Sequence, residues 1–273
     1  MGQVTEPAIC EFYRLIEGAP APRRADRSAD GSLPVVAYRY CEPVAAASAF
    51  GWYLFPPINF ALIWDGREVA WTREGAEGWL PVRAEPYPGF AKKFGRLAPP
   101  DMSDLMPPFL SQGRLPGLVQ IWSGFVATTA PGWSLLSRGV ANRDPIQSYE
   151  NHDTLIECVP DEDTIPSVTP PFSNYEGIIE TDTWFGPLIT NIRLLRINSP
   201  VMFHMTSPLF QVQPLLRQCY HEPSYAVFDH TSLTPSHWQR FEATMRPNAD
   251  HMRRPGHYAA KTRKRLRQPE RVS

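Results

Sequence analysis

Three carboxylates stand four and two positions apart in a short run between two predicted strands: Glu176, Glu180 and Asp182, followed by Trp184. Acids beside aromatic and β-branched residues are costly to hold unless they are hydrogen-bonded or used in chemistry. In an extended segment all three point to one face, because strand side chains alternate with a period of two. We therefore predict a pocket here, with the three acids as its catalytic residues and Trp184 as one wall.

Carboxylates on one face repel one another unless a cation, an arginine or a shared proton intervenes. Three interpretations follow from this. In the first, Arg138 or Arg193 neutralises the acids in a structural network. In the second, a divalent metal is held by their oxygens. In the third, one acid acts as a general acid or base, with Arg138 and Asn142 anchoring a substrate.

Histidine spacing offers a further metal hypothesis. The seven histidines form no H-x-H, H-x-D or H-E-x-x-H pattern, which are the local spacings typical of metal sites. His204 lies on the polar phase of a predicted strand, and His221 could meet it across a sheet. Two histidines and a carboxylate bind non-haem iron, so His204 and His221 are candidate iron ligands. G-x-S-x-G, G-x-G-x-x-G and Walker loops are absent from the sequence, and the pattern identifies no cofactor.

Proline content determines the predicted fold class. The chain has 30 prolines in 273 residues, spread along its length, and proline breaks helix interiors and favours turns and strand ends. We predict a mainly β single domain over residues 1–233, built as a barrel or a β-clip-like sheet assembly with long loops. The predicted strands span 8–16, 35–40, 59–64, 68–71, 118–128, 133–136, 188–197, 201–205 and 210–214.

Turn and loop signals divide these strands. Asp65-Gly66 predicts a tight hairpin, because glycine accepts the positive φ of such a turn. Residues 75–117 lack periodicity and are predicted as a long loop or lid. Residues 143–172 are predicted as an acidic insertion. The apolar phase of 188–197 slips at Leu194-Leu195, which indicates a bulge.

Residues 234–273 are predicted as a helical, basic C-terminal segment. Thr234 suits an N-cap and Pro235 the first helical position, and Trp238, Phe241 and Met245 follow at helical spacing. Eight of the 27 basic residues and one of the 28 acidic residues lie from Arg253 onward, so the rest of the chain carries a net charge near −8. A basic tail folds onto an acidic surface or docks a partner. Nucleic acid is disfavoured, because no aromatic residues interleave with the basic ones.

Cysteine usage and hydropathy indicate the compartment. Cys10, Cys41, Cys158 and Cys219 are far apart and form no C-x-x-C pair, which excludes a zinc ribbon or thioredoxin-like motif. The N-terminus has no signal pattern, and no apolar run approaches the ~20 residues of a membrane helix. The sequence predicts a cytoplasmic protein with reduced thiols and no membrane partner.

Several motifs together carry a family resemblance. They are Gly51-Trp52 with Pro56-Pro57, Trp64-Asp65-Gly66, Pro131 to Gly139, Ala141-Asn142, and Glu176 to Asp182. In these residues the chain resembles an uncharacterised bacterial family known only as a domain of unknown function, over most of residues 10–215. The resemblance implies no activity.

A more distant resemblance concerns architecture. Ser137-Arg138-Gly139, followed by Gly177 to Asp182 and a strand, resembles the β-clip proteins related to dUTPase and dCTP deaminase. The resemblance implies a phosphate-binding turn and a glycine-led hairpin whose acids bind base and water. This chain departs from the pattern by an extra residue between Asp182 and Gly186 and by a long acidic insertion between the motifs. It also lacks the glycine-rich phosphate loop, so the resemblance implies the fold and not a nucleotide triphosphatase.

Three function classes are carried forward. The first is a small-molecule-binding enzyme, in the setting of bacterial specialised metabolism, with acid/base chemistry at the carboxylate-rich pocket. The second is a non-catalytic binding or assembly module, in which the same residues form a structural network and the basic tail docks a partner, a homo-oligomer included. The third is a non-haem iron oxygenase using His204 and His221.

Overall fold

The computed structural model describes residues 8–143, 170–221, 225–245 and Lys264. Its described part is mainly β, with three antiparallel sheets and short helices, which confirms the predicted fold class. The sheets stay open, and the described strands form no closed barrel. The strands are β1 (Cys10–Arg14), β2 (Arg23–Arg24), β3 (Trp52–Leu54), β4 (Phe60–Trp64), β5 (Val69–Arg73), β6 (Leu80–Pro81), β7 (Ala84–Glu85), β8 (Leu110–Gln112), β9 (Leu118–Thr129), β10 (Trp133–Arg138), β11 (Phe172–Tyr175), β12 (Gly177–Ile179), β13 (Pro187–Leu194), β14 (Val201–Phe203) and β15 (Phe210–Leu216).

Five α-helices lie wholly within the described residues. They are α1 (Val35–Tyr40), α2 (Glu42–Ser48), α3 (Phe90–Leu97), α4 (Gln218–His221) and α5 (Pro235–Met245). No described helix has both the length and the apolar character needed to cross a membrane.

Strand β9 is the centre of the largest sheet. That sheet runs β11-β13-β9-β8-β7, and β1 also pairs with β9. The second sheet runs β12-β10-β15-β3-β2, and the third β14-β4-β5-β6. Because β9 and β10 are joined by the turn at Pro131-Gly132, this turn links the first two sheets.

The hydrophobic core contains a cluster of aromatic rings around Phe109. Phe109 is fully buried and makes edge contacts with Phe60, Trp71 and Tyr87, with ring centroids 5.2, 6.1 and 5.8 Å away. Edge-to-face pairs add roughly 0.5–1.5 kcal/mol each beyond the burial of area. Aromatic packing therefore holds together segments that are far apart in sequence.

The predicted hairpin at Asp65-Gly66 is confirmed. Gly66 has φ +99°, which a residue with a Cβ adopts only with strain. The Asp65 carboxylate accepts hydrogen bonds from the N–H groups of Arg67 and Glu68, both at 2.7 Å. These hydrogen bonds join residues two and three positions apart, so the hairpin could be predicted from adjacent residues.

Two element predictions are wrong. Residues 35–40 form α1 instead of a strand, although their valines and tyrosines favour extended structure. Helix α2 packs beside α1, and no described strand pairs with these residues. Residues 75–117 contain β6, β7, β8 and α3 instead of a long loop. Phe90 of α3 is buried against Trp122, with ring centroids 5.6 Å apart, so this segment belongs to the core.

Other predictions differ in position or in scope. The register irregularity of β13 falls between Pro187 and Ile189. Strand β13 ends at Leu194, so it does not span the predicted slip at Leu194-Leu195. The predicted helix start is confirmed: the Thr234 hydroxyl accepts the His237 N–H at 3.4 Å. Within the predicted acidic insertion, residues 144–169 lie outside the described residues, as do the residues after 245 except Lys264.

Candidate functional site

The acids of the candidate site lie on a turn. Strand β12 ends at Ile179, and the N–H groups of Thr183 and Trp184 both bond to the Glu180 carbonyl, at 3.0 and 2.9 Å. The extended segment predicted through Asp182 is therefore wrong. A chain reversal at Glu180 ends the period-two alternation on which the common face depended.

This turn is fastened to the end of β9. The Thr181 carbonyl accepts bonds from the Thr129 N–H at 3.3 Å and the Thr128 hydroxyl at 3.2 Å. The hydroxyls of Thr181 and Thr129 share a further bond at 2.8 Å, and both residues are buried. Buried and satisfied hydroxyls of this kind hold a turn in one conformation.

Asp182 is a structural carboxylate. Its side chain is 7% exposed, and one oxygen accepts the Gly132 N–H at 2.9 Å while the other pairs with the Arg217 guanidinium. The Arg217 N–H in turn donates to the Gly132 carbonyl at 2.8 Å. Three residues from three segments thus close a ring of hydrogen bonds, which leaves Asp182 committed to the fold.

Glu180 is half-exposed, unlike Asp182. One of its oxygens lies 3.5 Å from Arg217 Nε, accepts the Tyr220 hydroxyl at 3.2 Å and lies 3.9 Å from His221 Nε2. The Tyr220 hydroxyl also bonds to Ser134 Oγ at 2.7 Å. The pKa of Arg217 is raised, chiefly by a hydrogen bond with Tyr220 and to a smaller extent by the negative charges of Asp182 and Glu180.

Glu176 lies at the other end of β12 and belongs to a separate ion pair. Ser137 pairs with Gly177 and Leu135 with Ile179, so Glu176 stands opposite Arg138 and Glu180 stands opposite Ser134. Arg138 lies 3.0 Å from Glu176. Four residues along a strand span about 13 Å, so only Glu180 and Asp182 converge.

Asn142 is located elsewhere, against α2. It has φ +59°, and its Nδ2 donates to the Val44 carbonyl and the Ser48 hydroxyl, both at 3.1 Å. These contacts fasten the end of α2. The structure therefore does not bring Asn142 together with the acids.

Two exposed aromatic residues follow the turn that begins at Glu180. They are Trp184 and Phe185, and Phe185 makes an edge contact with exposed Tyr13, with ring centroids 5.7 Å apart. The Tyr13 hydroxyl donates to Glu11, which raises the pKa of Tyr13. We call Glu11, Tyr13, Glu180, Trp184 and Phe185 the acidic aromatic face.

The candidate iron ligands lie in different parts of the fold. His204 follows β14 in the third sheet, whereas His221 ends α4 beside Glu180. Among the described residues, no group of three histidine, cysteine or acidic side chains is arranged to hold a metal ion.

Sequence reasoning missed Arg217 and Tyr220. They lie 35 and 40 residues from the acids that they contact, so no local spacing pointed to them. One signal was available: Arg217, Tyr220 and His221 stand at i, i+3 and i+4, which places them on one side of a helical turn.

The C-terminal segment, residues 225–245, exposes its apolar residues. Every residue from Tyr225 to Met245 is exposed. On α5, Trp238, Phe241 and Met245 form a stripe at helical spacing, with Phe241 55% and Met245 61% exposed. This stripe is not packed against the sheets.

No family model matches the chain, and no curated protein matches its sequence.

Proposed function

We propose that this protein is a non-catalytic assembly module, in which the C-terminal segment of one copy binds the acidic aromatic face of a second copy. The exposed stripe of Trp238, Phe241 and Met245 is the observation that carries this proposal. A helix with an apolar stripe is usually stabilised by burying it. Contiguous exposed apolar residues on a soluble protein mark interaction sites.

Charge supports the acidic aromatic face as the receptor. The sequence after α5 carries nine basic residues and two acidic residues, and the face presents Glu11 and Glu180 beside aromatic rings. Complementary charge steers association and sets its specificity. The two surfaces are complementary in hydrophobicity, because the apolar stripe faces aromatic rings. They are also complementary in charge, because the basic tail faces carboxylates.

The paired arginines support a non-catalytic role. Arg138 pairs with Glu176, and Arg217 pairs with Asp182 and lies 3.5 Å from Glu180, so one negative charge remains at this turn. This is the structural network among the predicted interpretations. Because the segment and the face lie on one chain, two copies can exchange segments reciprocally and close a dimer.

Sedimentation velocity over a range of protein concentrations tests the proposal. We expect the wild type to dimerise and Phe241→Glu to weaken the dimer, because burial of a phenylalanine contributes about 1.5–3 kcal/mol, or about 10- to 150-fold in Kd. Ala243→Glu is the matched control, because it adds the same charge on the opposite side of α5.

The receptor has its own variant and control. Phe185→Glu should weaken the dimer, whereas Ile197→Glu, at an equally exposed residue outside the acidic aromatic face, should not. Mixing Phe241→Glu with Phe185→Glu should restore a dimer, since one intact interface remains. A wild type that stays monomeric at high concentration, or a control that disrupts as strongly as its partner variant, contradicts the proposal. Binding of the wild type to anionic vesicles without dimerisation would assign the stripe to a lipid surface instead.

A second candidate is the small-molecule enzyme, and the half-exposed Glu180 favours it. Its carboxylate accepts the Tyr220 hydroxyl at 3.2 Å and lies 3.9 Å from the His221 ring, and a hydroxyl bonded to a carboxylate can exchange a proton with it. Thermal-shift screening with nucleotides and metabolites tests this candidate. Glu180→Gln should abolish a ligand-induced shift while leaving the protein folded, and unfolding of the variant would assign Glu180 to the structural network. The family and β-clip resemblances and the iron interpretation stay predictions.

A further inference from the structure

A cleft of about 550 Å³ lies between the loop before α1 and the helices α1 and α2. It is distinct from the acidic aromatic face in all its lining residues. They are Ala25, Asp26, Arg27, Ser28, Tyr38, Arg39 and Ala49. The volume falls in the range of about 300–1,000 Å³ typical of small-molecule sites, and the lining holds charges of both signs.

Arg27 builds the back of the cleft. Its two terminal nitrogens donate to the two oxygens of buried Glu42, each at 2.8 Å, and one also donates to the Tyr38 carbonyl at 3.4 Å. The bonds to Glu42 raise the pKa of Arg27. A fork-to-fork pair of this kind is rigid, so the loop and the two helices are held in one relative position.

Asp26 lines the cleft, and a turn holds its carboxylate. Its Oδ1 accepts the Ser28 N–H at 2.8 Å, the Ser28 hydroxyl at 2.5 Å and the Asp30 N–H at 3.3 Å. Its own N–H donates to the hydroxyl of buried Tyr53 at 3.4 Å. Among the described residues none donates to Oδ2. The hydrogen bonds of the turn to Oδ1 thus fix the orientation of the carboxylate, and Oδ2 can accept a hydrogen bond from a ligand.

We propose that this cleft binds a free amino acid, with the ammonium group on Asp26 Oδ2 and the carboxylate on the guanidinium of Arg39. A carboxylate and an exposed guanidinium in one cleft match the two charges of a zwitterion. A guanidinium has five N–H donors, so Arg39 serves a ligand carboxylate together with its other contacts. Ala25 and Ala49 are small and leave room for the ligand side chain. Ser28 and Tyr38 add hydroxyl groups to the lining.

Thermal shift and isothermal calorimetry with the proteinogenic amino acids test this assignment. Each amino acid is compared with its N-acetyl derivative, which lacks the ammonium charge, and with the amine that lacks the carboxylate. We expect at least one free amino acid to raise Tm by more than about 2 °C at millimolar concentration, because a ligand that binds only the folded state stabilises it. Neither derivative should do so.

Two variants locate the binding. Asp26→Asn keeps the Oδ1 acceptor of the turn and removes the charge, and Arg39→Gln removes the guanidinium; each should weaken binding at least tenfold. Asp101→Asn and Arg96→Gln make the same chemical changes at exposed residues outside the cleft and should bind as the wild type does.

Three results would overturn the assignment: no shift with any free amino acid, equal binding of the N-acetyl or decarboxylated form, or wild-type affinity in Asp26→Asn. If either cleft variant fails to fold by circular dichroism, calorimetry of the folded one decides. If neither folds, the comparison of derivatives on the wild type decides. Phe241→Glu should bind the amino acid normally, so failure of the cleft assignment and failure of the dimer proposal are distinguishable.

Discussion

Gln211 offers the sharpest test of how the fold is held together. The sequence places it on the polar phase of a strand, yet its exposed fraction is 0%. Its Nε2 donates to the carbonyls of Ser48 at 3.1 Å and Phe50 at 2.6 Å, and its Oε1 accepts the Ala141 N–H at 2.8 Å. One amide therefore ties the end of α2 and the loop after β10 to β15. Replacement by methionine preserves the length of the side chain and removes all three bonds.

The cost follows from which groups lose their partner. A buried donor or acceptor left unsatisfied costs about 1–3 kcal/mol. The Ser48 carbonyl and the Ala141 N–H are bonded in the interior, whereas Phe50 is an exposed residue whose carbonyl water can reach more easily. Two orphaned groups correspond to about 2–6 kcal/mol, and we expect about 4 kcal/mol for Gln211→Met. That is a large share of a typical folding free energy of about 5–15 kcal/mol.

Urea unfolding followed by tryptophan fluorescence measures this difference, with an unchanged slope as the sign that the denatured state is unaffected. Gln213→Met is the matched control. That residue is almost as buried, at 6% exposed, and donates one bond, to the Ala47 carbonyl at 3.3 Å, so it should lose about 1 kcal/mol. If Gln211→Met costs no more than Gln213→Met, the reasoning is refuted.

Three further outcomes follow from the structure. The backbone N–H groups of Arg67 and Glu68 lower the pKa of Asp65. The stabilising contribution of Asp65 is therefore present above the pKa of the unfolded chain, about 3.9, and is lost as pH falls through the lower pKa of the folded state. NMR titration of the carboxyl should give a pKa below that of a model peptide, and an ordinary value would contradict the hairpin geometry. Desolvation raises the pKa of half-buried Cys10 to about 12, so its thiolate is about one part in 10,000 at pH 8. Iodoacetamide should therefore label exposed Cys219 at least 100-fold faster by mass spectrometry, and equal rates would be inconsistent with a raised pKa of Cys10. Gly51 has φ +94°, and a Cβ there would lie 2.0 Å from a carbonyl oxygen of β15, so Gly51→Ala should cost about 3 kcal/mol or more in thermal or urea unfolding. Gly31→Ala, at φ +81° with nothing within 4 Å, should cost clearly less, and equal losses would mean that backbone strain alone accounts for the effect.

The acids of the candidate site could be named from the sequence, whereas the residues that contact them could not. Glu180 and Trp184 are on the exposed face where the sequence placed a site, and Arg138 pairs with Glu176 as one interpretation had it. Arg217 comes from the far end of β15, and its meeting with Asp182 depends on the pairing of β10 with β15. A prediction from residue spacing stops at a single element, because it contains no information on which elements become neighbours.

The errors have the same origin. Residues 35–40 carry strand-forming side chains, but β propensity expresses packing on a pleated surface, and here a helix is the available neighbour. Gln211 alternates with apolar residues as a solvent-facing side chain would, but the end of α2 covers it and supplies backbone groups for its amide. Whether a polar residue on a strand is buried depends on which element packs against that face of the sheet.

By itself, the sequence determined the mainly β class, the hairpin at Asp65-Gly66 and the start of α5 at Thr234-Pro235. These depend on φ preferences and hydrogen bonds within a few residues, so local chemistry is sufficient. Only the tertiary structure decided that Asp182 is committed to the fold, that Glu180 stays accessible and that the stripe on α5 lies uncovered. Ion pairing and burial are sums over neighbours that are distant in sequence, and chain folding alone brings those neighbours together.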